Sequence, residues 1–292
     1  MQKPFVSVVI PVLNAARYLE ELLVALRLQS YPKERFEVII VDNGSDDGTA
    51  EILEGREGIT LLRQTELKTP YASRNMGIEA SRGEIIALAD ANKIPDPAWL
   101  EEGVEALMAG GADLAGGEIL FDIPDGAGIG EITDAITFNN NRDYVTREGS
   151  SAAGNLFFRR KVWEATGPFP VDYRSGMDIW WSRRALAKGF RMIFAEKAVV
   201  RCKPRKGFGV VRKSFRVGLV HPITLMQNGM SKPAVFMHSL LTFLPPRPSE
   251  IRNKLRNNGI RNGWFKVVHV WGMAWLVKIG MGCGRLRGFW SG

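Results

Sequence analysis

The sequence predicts an α/β fold, a mostly parallel sheet with helices on both faces, followed by a basic helical C-terminal extension. Three observations carry this. Short apolar, β-branched runs alternate with helical patterns through the first 108 residues, which implies parallel strands joined by crossover helices. Two of those runs, Phe36 to Val41 and Glu84 to Ala89, are followed at once by a carboxylate, Asp42 and Asp90. Ligands of open α/β sheets sit outside such carboxyl ends. Charge is segregated as well: from Arg201 onward there are 17 Lys/Arg and one acid, leaving 22 basic and 30 acidic residues before it.

Taken in order, Phe5 to Ile10 reads as a strand ended by Pro11, and Met1-Gln2-Lys3-Pro4 leads into it with no signal peptide expected. Ala15 to Leu28 places Leu19, Leu22, Leu23 and Leu26 at helical spacing. Phe36 to Val41 is a second strand and Gly48 to Glu54 a short helix with Asp and Thr at its start. Ile59 to Leu62 is a third strand, Ser73 to Ser81 a helix, and Glu84 to Ala89 a fourth strand. Pro97 to Met108 makes the next helix, with Pro in its first turn. After Ala112 the alternation breaks down. Asn155 to Phe158 looks like a strand, Asp178 to Lys188 a helix, and Ile193-Phe194 and Ala198-Val199-Val200 two short strands. From Arg205 on, basic helical segments are separated by Pro-rich breaks such as Pro245-Pro246-Arg247-Pro248. This sets domains at 1–204 and 205–292.

Composition excludes several chemistries. Cys202 and Cys283 fit no zinc or disulfide framework, in keeping with a reducing compartment. All three histidines lie beyond residue 200, so the first 200 residues do no histidine acid–base chemistry. No GxGxxG and no GxxxxGK[ST] follows the first strand, which disfavours a dinucleotide cofactor and a P-loop; nor does a strongly glycine- and basic-rich phosphate loop, which disfavours a nucleotidyltransferase. Asn43-Gly44-Ser45 is formally a glycosylation sequon, best explained by chance. Asp42 and Asp90 can each be plain turn formers or helix N-caps. Both at strand ends, with Arg74 and Asn75 opening a helix between them, suit a nucleotide better: carboxylates accept from base and ribose, and Arg reaches phosphate.

The motifs resemble family 2 glycosyltransferases. Ser7 to Asn14, Val41 to Thr49, Ala72 to Gly77, Arg82 to Ile86, Asp90-Ala91-Asn92 and Pro95 to Leu100 follow that family's order, as do Gly154 to Arg160 and Arg174 to Trp181. The match spans about residues 5 to 204. The resemblance implies a GT-A fold, the Rossmann-like nucleotide-diphospho-sugar transferase architecture, and transfer with inversion from a nucleoside-diphosphate sugar. It implies that Pro11, Asn14, Asp42, Asn43, Asp47 and Arg74 line the donor pocket, and that Asp90, Asn92 and Lys93 face the ribose and pyrophosphate. It makes Asp178 the general base, whose alternative is a helix N-cap, and places Asn155, Trp180 and Trp181 on the acceptor side. Inversion by a single displacement needs one carboxylate to take the acceptor's proton.

One departure matters: Asn92 stands where the second Asp of the Asp-x-Asp motif belongs, and Lys93 follows. An amide is a poorer ligand than a carboxylate for a hard cation. Either Asp90 alone holds Mg²⁺ or Mn²⁺ with the pyrophosphate, or Lys93 supplies positive charge to the leaving group. A catalytically inactive, sugar-nucleotide-binding partner protein is the alternative reading. Cys202, where many relatives carry His, is assigned to packing. In the basic region, Trp264 to Met281 reads as a cationic, Trp-rich amphipathic helix, its apolar run from Val267 to Val277 too short to span a bilayer. It either lies on an anionic membrane surface or packs on the catalytic domain. The expected enzyme is cytoplasmic and peripheral on the membrane, using a saccharide or glycolipid acceptor in building polysaccharide or cell envelope, with no nucleic-acid partner.

Overall fold

A computed structural model of the protein describes residues 3–67, 69–138, 141–227, 229–260 and 263–291, so Met1 and Gln2 of the lead-in lie outside it. The chain forms two compact units, Met1–Leu120 with Asn140–Cys202, and Phe121–Asn139 with Lys203–Gly292.

The first unit is built on a sheet. Its strands and helices run β1 (Val6–Val12), α1 (Ala16–Arg27), β2 (Phe36–Asp42), α2 (Thr49–Leu53), β3 (Ile59–Arg63), α3 (Pro70–Ala80), β4 (Ile85–Ala89), β5 (Ile94–Pro95), α4 (Trp99–Ala109) and β6 (Leu114–Phe121). After α5 (Ile129–Phe138), which belongs to the second unit, come α6 (Asn141–Glu148), β7 (Asn155–Arg159), α7 (Arg160–Thr166), α8 (Met177–Ala187) and β8 (Met192–Cys202). The eight strands are ordered β3-β2-β1-β4-β7-β6-β8-β5. β1 lies between β2 and β4 and is parallel to both, and β2 is parallel to β3. Val6, Val8, Val9 and Ile10 are fully buried, as an unbroken apolar run in the middle of a two-sided sheet must be. α1 turns Leu19, Leu22, Leu23 and Leu26 inward, each burial stabilising by about 1.5–3 kcal/mol.

Beyond β4 the sheet changes direction. β7 is antiparallel to β4 and to β6, and β5 is antiparallel to β8. Parallel strands thus form one half of the sheet, at the end that carries Asp42 and Asp90. Three expectations are corrected here. Pro11 lies inside β1, opposite Val41; pairing with β4 has already ended at Val9, so the missing N–H breaks no bond on that side. The helix after Pro97 starts only at Trp99. The two short strands near residue 195 are one, β8, in which exposed Glu196 and Lys197 interrupt the apolar pattern without interrupting the backbone.

The second unit holds α5 together with α9 (Gly209–Gln227), α10 (Lys232–Leu241), α11 (Pro248–Asn257) and α12 (Trp264–Ser291). Residues 121–138, counted from the sequence in the first domain, therefore pack with the C-terminal helices. Ile132 and Ile136 of α5 meet Ile251 and Leu255 of α11 and Val267, Val270 and Ala274 of α12 in one cluster. Fully buried Asp134 of α5 takes the Arg205 backbone N–H at 2.9 Å and its guanidinium at 3.2 Å. α12 is longer than its apolar run suggested. Its 27 residues Trp264–Trp290 suffice by length and composition to cross a membrane; their most apolar 18-residue stretch has mean hydropathy 1.3 and is one-third buried. Trp264, Phe265, Trp275, Leu276 and Trp290 stay exposed.

The α9–α12 pair is a close backbone contact. Gly280, Gly284 and Gly288 recur every fourth residue on α12, one face of the helix. A Cβ at Gly284 would strike the carbonyl of Phe215, one at Gly288 that of Leu219, and one at Gly218 of α9 that of Met281. Gly284→Leu is expected to destabilise the protein by at least about 1–3 kcal/mol, because backbone cannot yield as a side chain can. The thermal midpoint should fall by several degrees; an unchanged midpoint rules out the close approach.

Candidate active site

The loops after β1 and β2 are clamped to each other. Asp42, buried at the end of β2, accepts the Ser45 hydroxyl at 2.5 Å. Asn14, at φ 51°, receives the Asp46 N–H at 3.0 Å on its side-chain oxygen and gives its own N–H to Ser45 Oγ at 2.9 Å. Left-handed backbone is one that Asn tolerates. Asp47 accepts N–H groups from Ala16 and Thr49, each at 3.1 Å, and Thr49 Oγ1 accepts that of Ala15 at 2.8 Å. The two side chains thereby cap α1, which has no side-chain cap of its own. The Thr49 hydroxyl, then the backbone donors, hold the Asp47 carboxyl below its usual range. Asn43 is buried, and among the described residues its Oδ1 has no hydrogen-bond partner.

Asp90, directly after β4, sits between two cations. Arg74 Nη2 of α3 reaches Oδ1 at 2.6 Å, and Lys93 Nζ reaches Oδ2 at 2.6 Å. Burial works against the ionised carboxyl, but the Lys93 and Arg74 charges outweigh it and hold Asp90 well below the normal carboxylate range. Gly154 makes room for this arrangement: a Cβ there would lie 2.6 Å from Lys93 Cε and 2.7 Å from Asp90 Oδ2. Asn92 is half-buried beside them. Among the described residues no group of three or more His, Cys, Asp or Glu could hold a metal ion. The only acid of the motif already has each oxygen in an ion pair, so these residues do not fit a protein-built divalent site.

Asp178 lies in the first turn of α8, whose N-cap is Gly176 at φ 80°. Asp178 is therefore not the N-cap. Its Oδ1 accepts the Tyr71 hydroxyl at 3.0 Å and its Oδ2 the Ala153 N–H at 2.8 Å. Burial, then the Asp178 charge, raise the Tyr71 pKa well above normal, so the phenol stays protonated and donating. Tyr71 also lies under the Arg74 guanidinium, 5.3 Å from ring centroid to Arg74 Cζ. Lys93, Asp90, Arg74, Tyr71 and Asp178 thus form one connected chain. The dipeptide Ala153-Gly154 touches it at both ends, keeping the two carboxylates within about 12 Å of each other.

The structure separates the residues expected on the acceptor side. Asn155 is fully buried; its amide nitrogen donates to Glu118 and Ala198 carbonyls at 2.8 Å, and its oxygen accepts Trp99 Nε1 at 2.8 Å. Those bonds commit its side chain to tying β7 to its neighbours, which corrects the acceptor role. Trp181 is also fully buried, between Phe158 and Phe169 with Nε1 on the Gly167 carbonyl, and forms no wall of an open site. Trp180, turned about 100° from it on the helix, is half-buried and carries the Arg184 guanidinium over its ring. Pro11 holds its place near the end of β1. Tyr71 was missed; its spacing of three from Arg74 on a helix was the available signal.

This sheet, parallel where it delivers Asp42 and Asp90 and antiparallel beyond, has the architecture of the GT-A glycosyltransferases. Two solved structures share it: mannosyltransferase PcManGT from Pyrobaculum calidifontis in complex with GDP-Man and Mn²⁺, and S. aureus TarS 1-349 in complex with UDP-GlcNAc. The first is 18% identical at TM-score 0.66, covering 100% of this chain and 88% of that one. The second is 21% identical at TM-score 0.57, covering 76% and 66%. At those identities the likeness is one of fold. The chain belongs to glycosyl transferase family 2, whose pattern matches residues 7–166, and it is therefore a glycosyltransferase enzyme. It is 36% identical over 291 residues to Glycosyltransferase AglE of Haloferax volcanii, spanning 97% of this chain and 95% of that one.

Proposed function

We propose that the enzyme transfers a sugar, with inversion, from a nucleoside-diphosphate sugar to a polysaccharide, oligosaccharide or lipid-linked acceptor. The carrying observation is Asp178, held at both oxygens by Tyr71 and the Ala153 N–H and joined through Tyr71 and Arg74 to Asp90 and Lys93. Two fixed donors aim the carboxylate. In this reading the acceptor hydroxyl oxygen attacks the anomeric carbon as Asp178 takes its proton. The bond from the anomeric carbon to the diphosphate breaks, its electron pair leaves on the diphosphate oxygen, and Lys93 and Arg74 neutralise that developing charge. Asp42, Asn43, Asn14, Pro11 and Asp47 form the base-side wall, and Trp180 faces the acceptor. The exposed Trp and Phe residues of α12 and the basic charge of residues 201–292 support work on the anionic cytoplasmic face of a membrane.

Nucleotide-sugar binding is tested by thermal shift with a panel of UDP-, GDP- and dTDP-sugars. A donor at 100 times its Kd is expected to stabilise the enzyme by about 2.7 kcal/mol. Asp42→Ala should remove most of that gain. A panel in which no nucleotide sugar raises the midpoint sinks the reading.

A further inference from the structure

The second unit contains a cavity of ≈ 400 Å³ lined by His238, Leu241, Thr242, Lys278, Met281 and Arg285, a size within the usual range of ligand sites. Arg285 is the most buried charged group of its lining. Only 7% exposed, it gives Nη1 to Thr242 Oγ1 at 2.6 Å and to His238 Nδ1 at 3.1 Å. A guanidinium only donates, so His238 accepts as the neutral imidazole and contributes no charge. Among the described residues Arg285 Nε is buried with no hydrogen-bond partner. No carboxylate lines the cavity among the described residues. A buried, permanent cation with neutral partners only is a standing penalty in the fold, and a second cation, Lys278, shares its cavity. The same stretch of chain is apolar at the surface: Met237, Leu240, Leu241 and Leu244 are each at least 40% exposed.

Two cations without an acid, in a concave site beside exposed aliphatic side chains, match one ligand chemistry: an oxyanion borne on an apolar chain. We propose that this cavity binds the phosphate group of an amphiphile, with Arg285 and Lys278 holding the anion and the Met237–Leu244 segment taking the chain. Guanidinium and ammonium together form charge-assisted bonds to phosphate oxygens. The site lies wholly within the second unit, and its test needs no sugar donor, so its failure leaves the transfer reading standing.

The test is calorimetric titration of the full chain with dihexanoyl phosphatidic acid below its micellar concentration, against dihexanoylglycerol and inorganic phosphate. Saturable binding of the phosphatidic acid, at least tenfold tighter than either control, is expected. Arg285→Gln and Lys278→Glu should each weaken it tenfold or more, and Arg285→Lys should restore part of the loss. Lys278→Glu leaves the Thr242 and His238 bonds untouched, so it decides the matter should Arg285→Gln fail to fold by circular dichroism. Wild-type affinity in Lys278→Glu overturns the proposal, as does dihexanoylglycerol binding equal to the acid. Inorganic phosphate binding as tightly as the lipid assigns the cavity to free phosphate and overturns the amphiphile.

Discussion

Asp178→Asn is expected to lower sugar transfer by about 10²–10⁴-fold, the usual worth of a positioned general base, while donor affinity stays within a few-fold of wild type. The amide is isosteric and keeps one acceptor oxygen for the Ala153 N–H, now 2.8 Å from Oδ2. Its nitrogen then faces Tyr71, whose hydroxyl can turn and accept, as it already does from the Met177 N–H at 3.1 Å. The local fold therefore survives and only the proton acceptor is lost. A fall in kcat at unchanged nucleotide Kd is the signature of an interaction made in the transition state. Tyr71→Phe removes one of the two donors that aim the carboxylate and should cost less than Asp178→Asn. Activity within tenfold of wild type in Asp178→Asn moves the base elsewhere.

Why some of this was legible in the sequence and some not follows from how locally each feature is specified. Asp42 and Asp90 could be placed because a central parallel strand is a continuous apolar run, and the residue after it must emerge at the carboxyl edge. α1 could be placed because its four leucines repeat at the helical period. β6 was missed, and the places of β7 and β8 in the sheet were obscure, because strand order is fixed by pairing with distant strands, β7 against β4 some seventy residues earlier. Motif membership also says nothing about which way a side chain points. Trp180 and Trp181 are adjacent, yet one lies half-open under Arg184 and the other is sealed between Phe158 and Phe169. Asn155 looked like a ligand group because it is polar in a motif, whereas its amide is consumed by three core bonds. The glycine row of α12 went unread, because its meaning depends on a partner helix about seventy residues away.

Lys93→Met is expected to reduce turnover by about 10²–10³-fold, the scale of one lost preorganised charge at a developing anion, whereas chelation of divalent ions should leave most of the activity. The argument rests on where the charges already stand. Asp90 holds Lys93 and Arg74 at 2.6 Å each, two cations fixed by one carboxylate, so the cluster carries a net positive charge before any ligand arrives. Both cations are substantially buried, Arg74 more than Lys93, and buried charges are screened far less than exposed ones. A departing diphosphate thus meets charge that needs no reorganisation. A divalent ion at Asp90 has to displace one of those cations, and Asn92 offers an amide where a second carboxylate would compensate. Titrating Mg²⁺ and Mn²⁺ back into chelator-treated wild type and Lys93→Met separates the two arrangements. If wild type falls silent on chelation and Mn²⁺ restores it, Lys93 serves to order Asp90 rather than to receive the leaving group. If wild type keeps its rate and Lys93→Met does not, the lysine three residues after Asp90 carries the electrostatic part that the missing second acid would otherwise assign to a metal.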